Sequence, residues 1–155
     1  YGSHFNSTVF PNNSYLWGTN TFKLWSPRGP HAIEVFTWNI VEKNMPDELK
    51  EAVVNMSTRT FGTAGMLEGD DADNMESMTQ LNRGRHIRRG RLNAQMGLGE
   101  DRVDEESGAI IGPSAVGETS YRGYYRAYRE YLMAKDWSEL LNKDPDEWKR
   151  ELLGR

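Results

Sequence analysis

The change of hydrophobic pattern at Pro46 is the feature that most constrains how this chain can fold. Upstream, residues 4–41 are rich in aromatic and β-branched side chains interrupted by turn residues, which is typical of antiparallel strands. Downstream, Leu49, Val53 and Met56 recur at helical spacing, and two acids directly after the proline favour a helix start. The sequence therefore predicts an α+β fold, with an antiparallel sheet packed against helices.

Turn residues and periodicity set the bounds of the predicted elements. Three strands joined by short loops are expected to form a meander at one edge of a larger sheet, at residues 4–10, 15–25 and 33–41. Helices are predicted at residues 46–61 and 64–81, from Thr119 onward and, as a short element, around 145–153. Between them, residues 82–117 contain many Gly, Arg and acidic side chains and predict a long irregular segment.

The composition predicts a folded protein outside the membrane. The 155 residues suffice for one compact domain with a single core, and five Trp, seven Tyr and five Phe need burial. The sequence has no apolar run of about eighteen residues and no charged-then-apolar leader, so we expect a cytoplasmic protein. The chain begins with Tyr1 instead of methionine, and we expect it to be a piece of a longer protein.

Charge and cysteine usage disfavour several functions. With 23 acidic and 19 basic residues the net charge is -4, which gives no global electrostatic argument for a nucleic-acid partner. The absence of cysteine excludes disulfides, thiolate metal sites and any iron–sulfur cluster ligated within this chain. A hydrolase is also disfavoured, because no Ser-His-Asp or metallohydrolase spacing is present.

One acidic residue interrupts the apolar stripe of the second predicted helix. Of the five acids there, only Asp71 lies in the middle of the arc that contains Leu67, Met75 and Met78. A carboxylate that faces a core is retained when it is protonated, paired or bound to a cation, so Asp71 is a candidate metal ligand. It is equally well explained as an acid that the helix dipole favours, or as the partner of an arginine.

Several stretches resemble the large subunit of Rieske-type aromatic-ring-hydroxylating dioxygenases. Four are similar to the naphthalene branch of that family: residues 8–14 (TVFPNNS), 59–62 (RTFG), 68–76 (EGDDADNME) and 117–126 (GETSYRGYYR). Residues 93–99 (NAQMGLG) are more similar to the biphenyl and toluene branch. Since the similarity follows nearly the whole chain in order, residues 1–155 are identified as the C-terminal portion of the family's catalytic domain, a helix-grip fold.

The resemblance implies an iron-dependent oxygenase. Members of the family hold a mononuclear non-haem Fe(II) through two histidines and one aspartate, and they add both atoms of O2 to an aromatic hydrocarbon to give a cis-dihydrodiol. The aspartate of the acidic motif corresponds to Asp71, which the helical pattern also selects. The mixture of naphthalene-like and biphenyl-like stretches suggests fused or linked aromatic rings as the substrate.

The resemblance also implies roles for individual side chains. Substrate-binding positions are His4, Asn6, Leu16, Thr19, Phe61 and Leu67, and Leu67 stands where the naphthalene enzymes carry a tryptophan, which would widen the pocket. Glu118 corresponds to a carboxylate at the junction between subunits, on the electron path from the Rieske cluster. Each position has a plainer explanation, because the apolar residues could be core and Glu118 could be an ordinary acid in a first helical turn.

Some parts that the resemblance implies are missing from this chain. The Rieske [2Fe-2S] cluster and the two iron-binding histidines belong to upstream segments, because the chain has no cysteine and His4, His31 and His86 are too widely spaced to replace the histidine pair. The chain alone is therefore expected to be inactive. The implied partners are a small (beta) subunit in an α3β3 hexamer, a ferredoxin, and a reductase that draws on NAD(P)H.

Two further interpretations stay open. Five arginines within nine residues are expected to form ion pairs at a subunit interface or, as another explanation, to dock an acidic ferredoxin; we call them the arginine patch (Arg83, Arg85, Arg88, Arg89 and Arg91). The second function class is a non-enzymatic module for a hydrophobic ligand. A curved sheet that grips a helix encloses an apolar cavity with or without a metal.

Overall fold

Arg91 marks the boundary between two structural units, Tyr1–Arg91 and Leu92–Arg155. The computed structural model describes residues 6–91, 93–141, 144, 146–147 and 150. The first unit contains a sheet and two long helices, and the second contains a small hairpin and two further helices, so the α+β prediction is confirmed. The chain length is sufficient for one compact domain, whereas the structure divides the chain into two units.

The sheet of the first unit is an antiparallel meander of four strands. Its strands are consecutive in space as in sequence, and they are β1 (Asn6–Val9), β2 (Asn13–Leu16), β3 (Thr21–Pro27) and β4 (Ile33–Asn39). A turn at residues 10–12 joins β1 to β2, and a loop at residues 28–32 that contains Gly29 and Pro30 joins β3 to β4. β3 extends to Pro27, two residues beyond the strand that the sequence predicts. The predicted meander is confirmed, although with one more strand than the sequence indicated.

The extra strand arises because the single strand predicted at residues 15–25 is two strands. Gly18 has φ 86° and Asn20 has φ 49°, and these left-handed conformations turn the chain back on itself between β2 and β3. The Tyr15 hydroxyl donates a 3.1 Å hydrogen bond to the side-chain oxygen of Asn20 across this turn. The sequence pattern did not indicate this turn, because aromatic and β-branched residues, which favour strands, lie on both sides of it.

Two helices that contact each other follow the sheet. α1 (Asp47–Phe61) begins directly after Pro46 and ends at Gly62, as predicted, and α2 (Met66–Leu81) begins two residues later than expected. The link between them is tight. A Cβ at Gly62 would lie 2.5 Å from the carbonyl oxygen of Thr58, and a Cβ at Gly65 would clash with the carbonyl of Thr60, so both positions require glycine.

One face of the sheet lies against these helices. Lys23 of β3 forms an ion pair with Glu68 of α2, and Trp25 lies on the same face two residues along the strand. The hydroxyl of Ser57 on α1 donates a hydrogen bond to the carbonyl of Thr19 in the β2–β3 turn. Polar contacts therefore join both helices to β3 and its preceding turn.

The other face of the sheet carries aromatic side chains that stay open. The ring centroids of Phe22 and Trp38 are 6.0 Å apart, and those of Phe36 and Trp38 are 6.2 Å apart. Phe36 and Trp38 are 40% and 49% exposed, because the helices cover only the opposite face. Among the described residues no hydrophobic side chain is buried, so the single apolar core expected from the composition is not formed by this part of the chain.

The second unit is built around its helices. It contains a hairpin of β5 (Arg102–Val103) and β6 (Ile110–Ile111), then α3 (Thr119–Met133) and α4 (Trp137–Leu141). The start of α3 at Thr119 is confirmed. Residues 82–117 were expected to be irregular, and within them the structure forms this hairpin and a short 3-10 helix at Ile87–Arg89. The short helix predicted at 145–153 falls largely outside the described residues.

A set of large side chains on α3 is exposed. It consists of Tyr121, Tyr124, Tyr125, Tyr128 and Leu132, all of which are at least 37% exposed. Within the part of the chain that the structure describes, no helix is long and apolar enough to cross a membrane.

Candidate functional site

An open cavity of about 700 Å³ lies in the first unit between the β3–β4 hairpin and α2. The hairpin contributes Trp25, Ile33 and Val35, and its connecting loop contributes His31. The helix contributes side chains at intervals of three and four residues, namely Glu68, Asp71, Ala72, Met75, Glu76, Thr79, Gln80 and, just beyond its end, Arg83. Asp71 therefore lies at an accessible cavity that has apolar residues on its hairpin side and mostly polar residues, with Ala72 and Met75, on its helix side.

The surroundings of Asp71 differ from those that the helical pattern predicted. The pattern placed Asp71 in a stripe with Leu67, Met75 and Met78 that faces a core. In the structure, Asp71 and Met75 line the cavity while Leu67 and Met78 do not, and no described residue of α2 is buried. The helix presents a different face because Glu68 pairs with Lys23, which turns the Glu68 side of α2 toward the sheet. The argument that burial forces a partner on Asp71 is therefore wrong.

Four side chains of types that bind metal ions line this cavity, namely His31, Glu68, Asp71 and Glu76. The Asp71 carboxylate is exposed, and no hydrogen bond or ion pair to another described residue occupies it, whereas Glu68 is already paired with Lys23. The described residues contain no group of three or more His, Cys, Asp or Glu side chains that could hold a metal ion. The Asp71 carboxylate could thus supply one metal ligand, and the described residues do not bring two further such side chains to it.

Lys23 is the residue of this region that the sequence analysis missed. It is only 6% exposed, and its ammonium lies 5.5 Å from the ring centroid of Trp25 and 5.7 Å from that of Phe61, in addition to its ion pair with Glu68. Alternation along β3 could have found it, since a strand that places Phe22 on one face places Lys23 on the other. A lysine on the helix side of a sheet needs an acidic partner there.

The predicted substrate-binding residues lie at several places in the first unit. Asn6 and Leu16 are directly opposite each other in the β1–β2 pair, on the face that also carries Lys23. Thr19 lies in the β2–β3 turn, where its hydroxyl accepts a 3.0 Å hydrogen bond from that of Thr21.

The predicted substrate-binding residues that the structure describes do not line the cavity. Phe61 ends α1 and contacts Lys23, and Leu67 is 39% exposed in the first turn of α2. Neither these two residues nor Asn6, Leu16 and Thr19 line the cavity that holds Asp71. His4 lies outside the described residues.

Glu118 lies in the second unit, at the residue before α3. Its carboxylate accepts a 3.0 Å hydrogen bond from the backbone N–H of Met96, and its own backbone N–H donates to the Met96 carbonyl at 3.1 Å. These two bonds attach the start of α3 to the loop around residues 94–97, which gives Glu118 a local structural role.

A second charged group in this unit, Arg122, joins two of the stretches that carry the family resemblance, since its guanidinium donates to the carbonyls of Ala94 and Met96 at 3.1 Å and 3.0 Å. Arg122 on α3 forms a 2.8 Å ion pair with Asp101, and the side chain of Asp101 is only 4% exposed. Burial raises the pKa of Asp101, but hydrogen bonds from Thr119 and Arg122 and the charge of Arg122 lower it by more, so its pKa is below the ordinary value. Among the described residues, Arg122 Nε is the buried side-chain nitrogen without a hydrogen-bond partner.

All five members of the arginine patch are exposed. Arg88 donates a 2.8 Å hydrogen bond to the carbonyl of Arg83, and the described part of the chain supplies no acidic partner for any of the five.

Comparisons with known proteins agree on the family. Residues 1–134 match the profile of the ring hydroxylating alpha subunit (catalytic domain). The large oxygenase component of the naphthalene 1,2-dioxygenase system of Pseudomonas aeruginosa is 45% identical over 153 residues, which cover 98% of this chain and 34% of that protein. Biphenyl 2,3-dioxygenase subunit alpha of Rhodococcus jostii (strain RHA1) is 35% identical over 133 residues, which cover 86% of this chain and 29% of that protein. A solved structure of naphthalene 1,2-dioxygenase with indole bound in the active site has a TM-score of 0.84 and 42% identity, over 94% of this chain and 33% of that one.

The chain belongs to the ring-hydroxylating alpha-subunit family, and it matches the catalytic domain of that family. These subunits are Rieske non-haem iron dioxygenases. The chain spans about a third of the length of the relatives it matches. Their fold confirms the mixed arrangement of helices and antiparallel sheet.

Proposed function

We propose that this chain is the C-terminal portion of the catalytic domain of an aromatic-ring dioxygenase, and that Asp71 is the carboxylate ligand of its mononuclear Fe(II). The observation that carries the proposal is the position of Asp71, which is an accessible carboxylate at the wall of an open cavity with apolar residues on its hairpin side. Family membership supports it. Two histidines from the rest of the protein would complete the ligand set.

In the proposed reaction, both atoms of O2 and two electrons with two protons are added to an aromatic ring, giving a cis-dihydrodiol. Iron bound at Asp71 would supply open coordination positions for dioxygen. Among the chain's own residues, Asp71 would balance the charge of the metal, and Trp25, Val35 and Met75 would give the cavity beside it apolar surface for an aromatic ring.

We further propose that His4, Asn6, Leu16, Thr19, Phe61 and Leu67 bind the aromatic substrate. Support comes from the sheet register, which places Asn6 and Leu16 on the same face as Lys23, and from the contact of Phe61 with that lysine. The relatives are named for naphthalene and biphenyl, so a hydrocarbon with two fused or linked rings is the proposed substrate.

The remaining machinery belongs to the whole protein. The relative from Pseudomonas aeruginosa is described as the large component of a system, which supports partner proteins for this chain as well. We propose a Rieske [2Fe-2S] cluster in the same subunit, a small (beta) subunit in an α3β3 hexamer, and a ferredoxin with an NAD(P)H-dependent reductase. Glu118 is the proposed carboxylate on the electron path, and the cytoplasmic location stays a prediction.

A non-enzymatic module for hydrophobic ligands is the second candidate. The cavity of about 700 Å³, with Trp25, Ile33, Val35 and Met75 in its lining, is large enough for a ligand of two or three rings and supports this alternative. The two candidates differ in turnover, since a binding module retains an aromatic hydrocarbon unchanged.

The test uses the full-length protein that contains this chain, expressed with its small subunit and electron-transfer proteins. Asp71→Ala is compared with Asp73→Ala, which removes a carboxylate from the same helix outside the cavity lining. The readouts are mononuclear iron content, the Rieske absorption spectrum, and cis-dihydrodiol formed from naphthalene or biphenyl.

We expect Asp71→Ala to lose iron and product with the Rieske spectrum intact, while Asp73→Ala keeps both. Retention of iron and turnover in Asp71→Ala would show that another residue is the ligand. A wild-type protein that binds naphthalene without converting it would favour the binding module.

A further inference from the structure

Lys23 is buried at the point where three elements of the first unit meet. Its ammonium forms an ion pair with Glu68 of α2 and lies within 6 Å of the ring centroids of Trp25 on β3 and Phe61 at the end of α1. The side chains of Lys23 and Glu68 are 7% and 17% exposed. Separating two opposite charges that are this well buried would leave each without its partner, so the ion pair restrains α2 relative to the sheet.

Glu68 and Asp71 are three residues apart on α2, and both line the cavity. Residues at this spacing are neighbours on one helix face, with an axial separation of about 4.5 Å. The ion pair at Glu68 therefore determines how far α2 is rotated about its axis, and this rotation determines where the Asp71 carboxylate points.

The expected displacement is large relative to what a metal centre tolerates. If α2 rotated by about 20°, the end of a side chain at a radius of roughly 5–6 Å would move by about 2 Å. Metal–ligand distances are held within about 0.2 Å of their usual values. A small rotation of the helix would thus take Asp71 out of bonding distance.

The same ammonium also contacts Phe61, which the proposed function places beside the substrate. Phe61 is separated from Glu68 by the tight link that contains Gly62 and Gly65. The contacts of Lys23 lie on both sides of this link. Lys23 thereby couples the position of the substrate-side aromatic residue to that of the carboxylate.

We propose that Lys23 and Glu68 are a positioning pair that orients Asp71 toward the iron and Phe61 toward the substrate. The inference rests on the proposed function, in which Asp71 is an iron ligand. It assigns a role to two residues that the proposed function names neither as metal ligands nor as substrate-binding residues. An ordinary stabilising ion pair is the competing explanation, and it predicts changes in stability alone.

The test again uses the full-length protein with its partners. Lys23→Met combined with Glu68→Leu removes both charges and leaves apolar side chains of similar size, which is compatible with folding. The matched control is Arg28→Met combined with Glu34→Leu, which removes an ion pair from the same sheet whose side chains are 59% and 45% exposed. The readouts are the dissociation constant for Fe(II) added to iron-depleted protein and the ratio of dihydrodiol regioisomers formed from a substituted naphthalene.

We expect the Lys23/Glu68 variant to keep its Rieske spectrum, to bind Fe(II) about 10- to 100-fold more weakly, and to change its regioisomer ratio. The control should match wild type in both. Wild-type iron affinity together with an unchanged regioisomer ratio would overturn the proposal. If the double variant does not fold, Glu68→Asp decides the matter, because it keeps the charge but shortens the side chain by one methylene and should shift both readouts.

Asp71→Ala separates this inference from the function on which it rests. If Asp71→Ala loses iron while the Lys23 and Glu68 variants bind it normally, only the positioning role fails. If Asp71→Ala retains iron, the ligand assignment fails and the positioning proposal fails with it.

Discussion

The Nη2 atom of Arg122 lies 2.9 Å and 2.8 Å from the two carboxylate oxygens of Asp101. The Nη1 atom of the same guanidinium donates to the carbonyls of Ala94 and Met96 at 3.1 Å and 3.0 Å. One side chain on α3 therefore holds the segment from 94 to 101 in place by charge and by hydrogen bonds. This segment has little regular structure of its own, so its conformation depends on Arg122.

The low pKa of Asp101 predicts that the stability of this region depends on pH. Burial raises the pKa, and the hydrogen bonds from Thr119 and Arg122 with the charge of Arg122 lower it by more. Since the folded-state pKa lies below the ordinary value of about 3.9, the stabilisation is present above that pH and is lost as the pH falls through the folded-state pKa. Thr119→Val removes one donor and should lower the free energy of opening of α3 by about 1 kcal/mol at neutral pH.

Hydrogen exchange of the α3 amides between pH 3 and pH 7 measures this effect. The difference between wild type and Thr119→Val should be largest above about pH 4 and should shrink at lower pH. Ser120→Ala, which removes the neighbouring exposed hydroxyl, is the control and should show no pH-dependent difference. A Thr119→Val difference that is constant with pH would contradict this account of Asp101.

Replacement of two glycines of the first unit by alanine should change the stability of the protein in opposite directions. At Gly65 a Cβ would clash with the carbonyl of Thr60, whereas at Gly69, inside α2, nothing lies within 4 Å. We expect Gly65→Ala to destabilise the protein by about 1–3 kcal/mol, and Gly69→Ala to stabilise it by up to about 1 kcal/mol through helix propensity. Thermal unfolding of the full-length protein measures both, and a Gly65→Ala variant as stable as wild type would show that the α1–α2 link is looser than described.

Leu67 is expected to influence the size of aromatic substrate that the enzyme accepts. Leu67→Trp adds a large ring in the first turn of α2, so turnover of a three-ring hydrocarbon should fall relative to naphthalene, on the order of tenfold. Met66→Trp is the control, because Met66 is 74% exposed whereas Leu67 is 39% exposed. Relative rates from a mixture of the two hydrocarbons provide the measurement. Equal effects of both variants would remove Leu67 from the proposed substrate wall.

The arginine patch should affect electron delivery if it docks an acidic ferredoxin. Arg85→Glu combined with Arg89→Glu should slow reduction by ferredoxin about tenfold at low ionic strength, and salt should diminish the difference. Reversal of two other exposed charges, Lys43→Glu combined with Lys135→Glu, is the control. If the Arg85/Arg89 variant instead changes subunit assembly at an unchanged reduction rate, the patch forms ion pairs at a subunit interface.

The sequence by itself determined the features that depend on neighbouring residues. Helix α1 begins after Pro46 and ends before Gly62, as predicted, and α3 begins at Thr119. These ends are predictable because proline geometry, glycine flexibility and helix-end charges act within a few residues. The motifs also identify the family, and the helical pattern of α2 selects Asp71 as a candidate ligand. The turn at Gly18 is the main local feature that the sequence did not predict, since strand-forming residues flank it on both sides.

Only the tertiary structure decided which side chains meet across elements. Lys23 and Glu68 are 45 residues apart, and their pairing determines which face of α2 lies toward the sheet; a helical wheel of α2 alone placed Leu67 and Met78 on that face. Arg122 and Asp101 are 21 residues apart and likewise give no joint signal in the sequence. The physical reason is that the free energy of a buried ion pair depends on how the chain packs around it, because burial both weakens its solvation and strengthens its attraction.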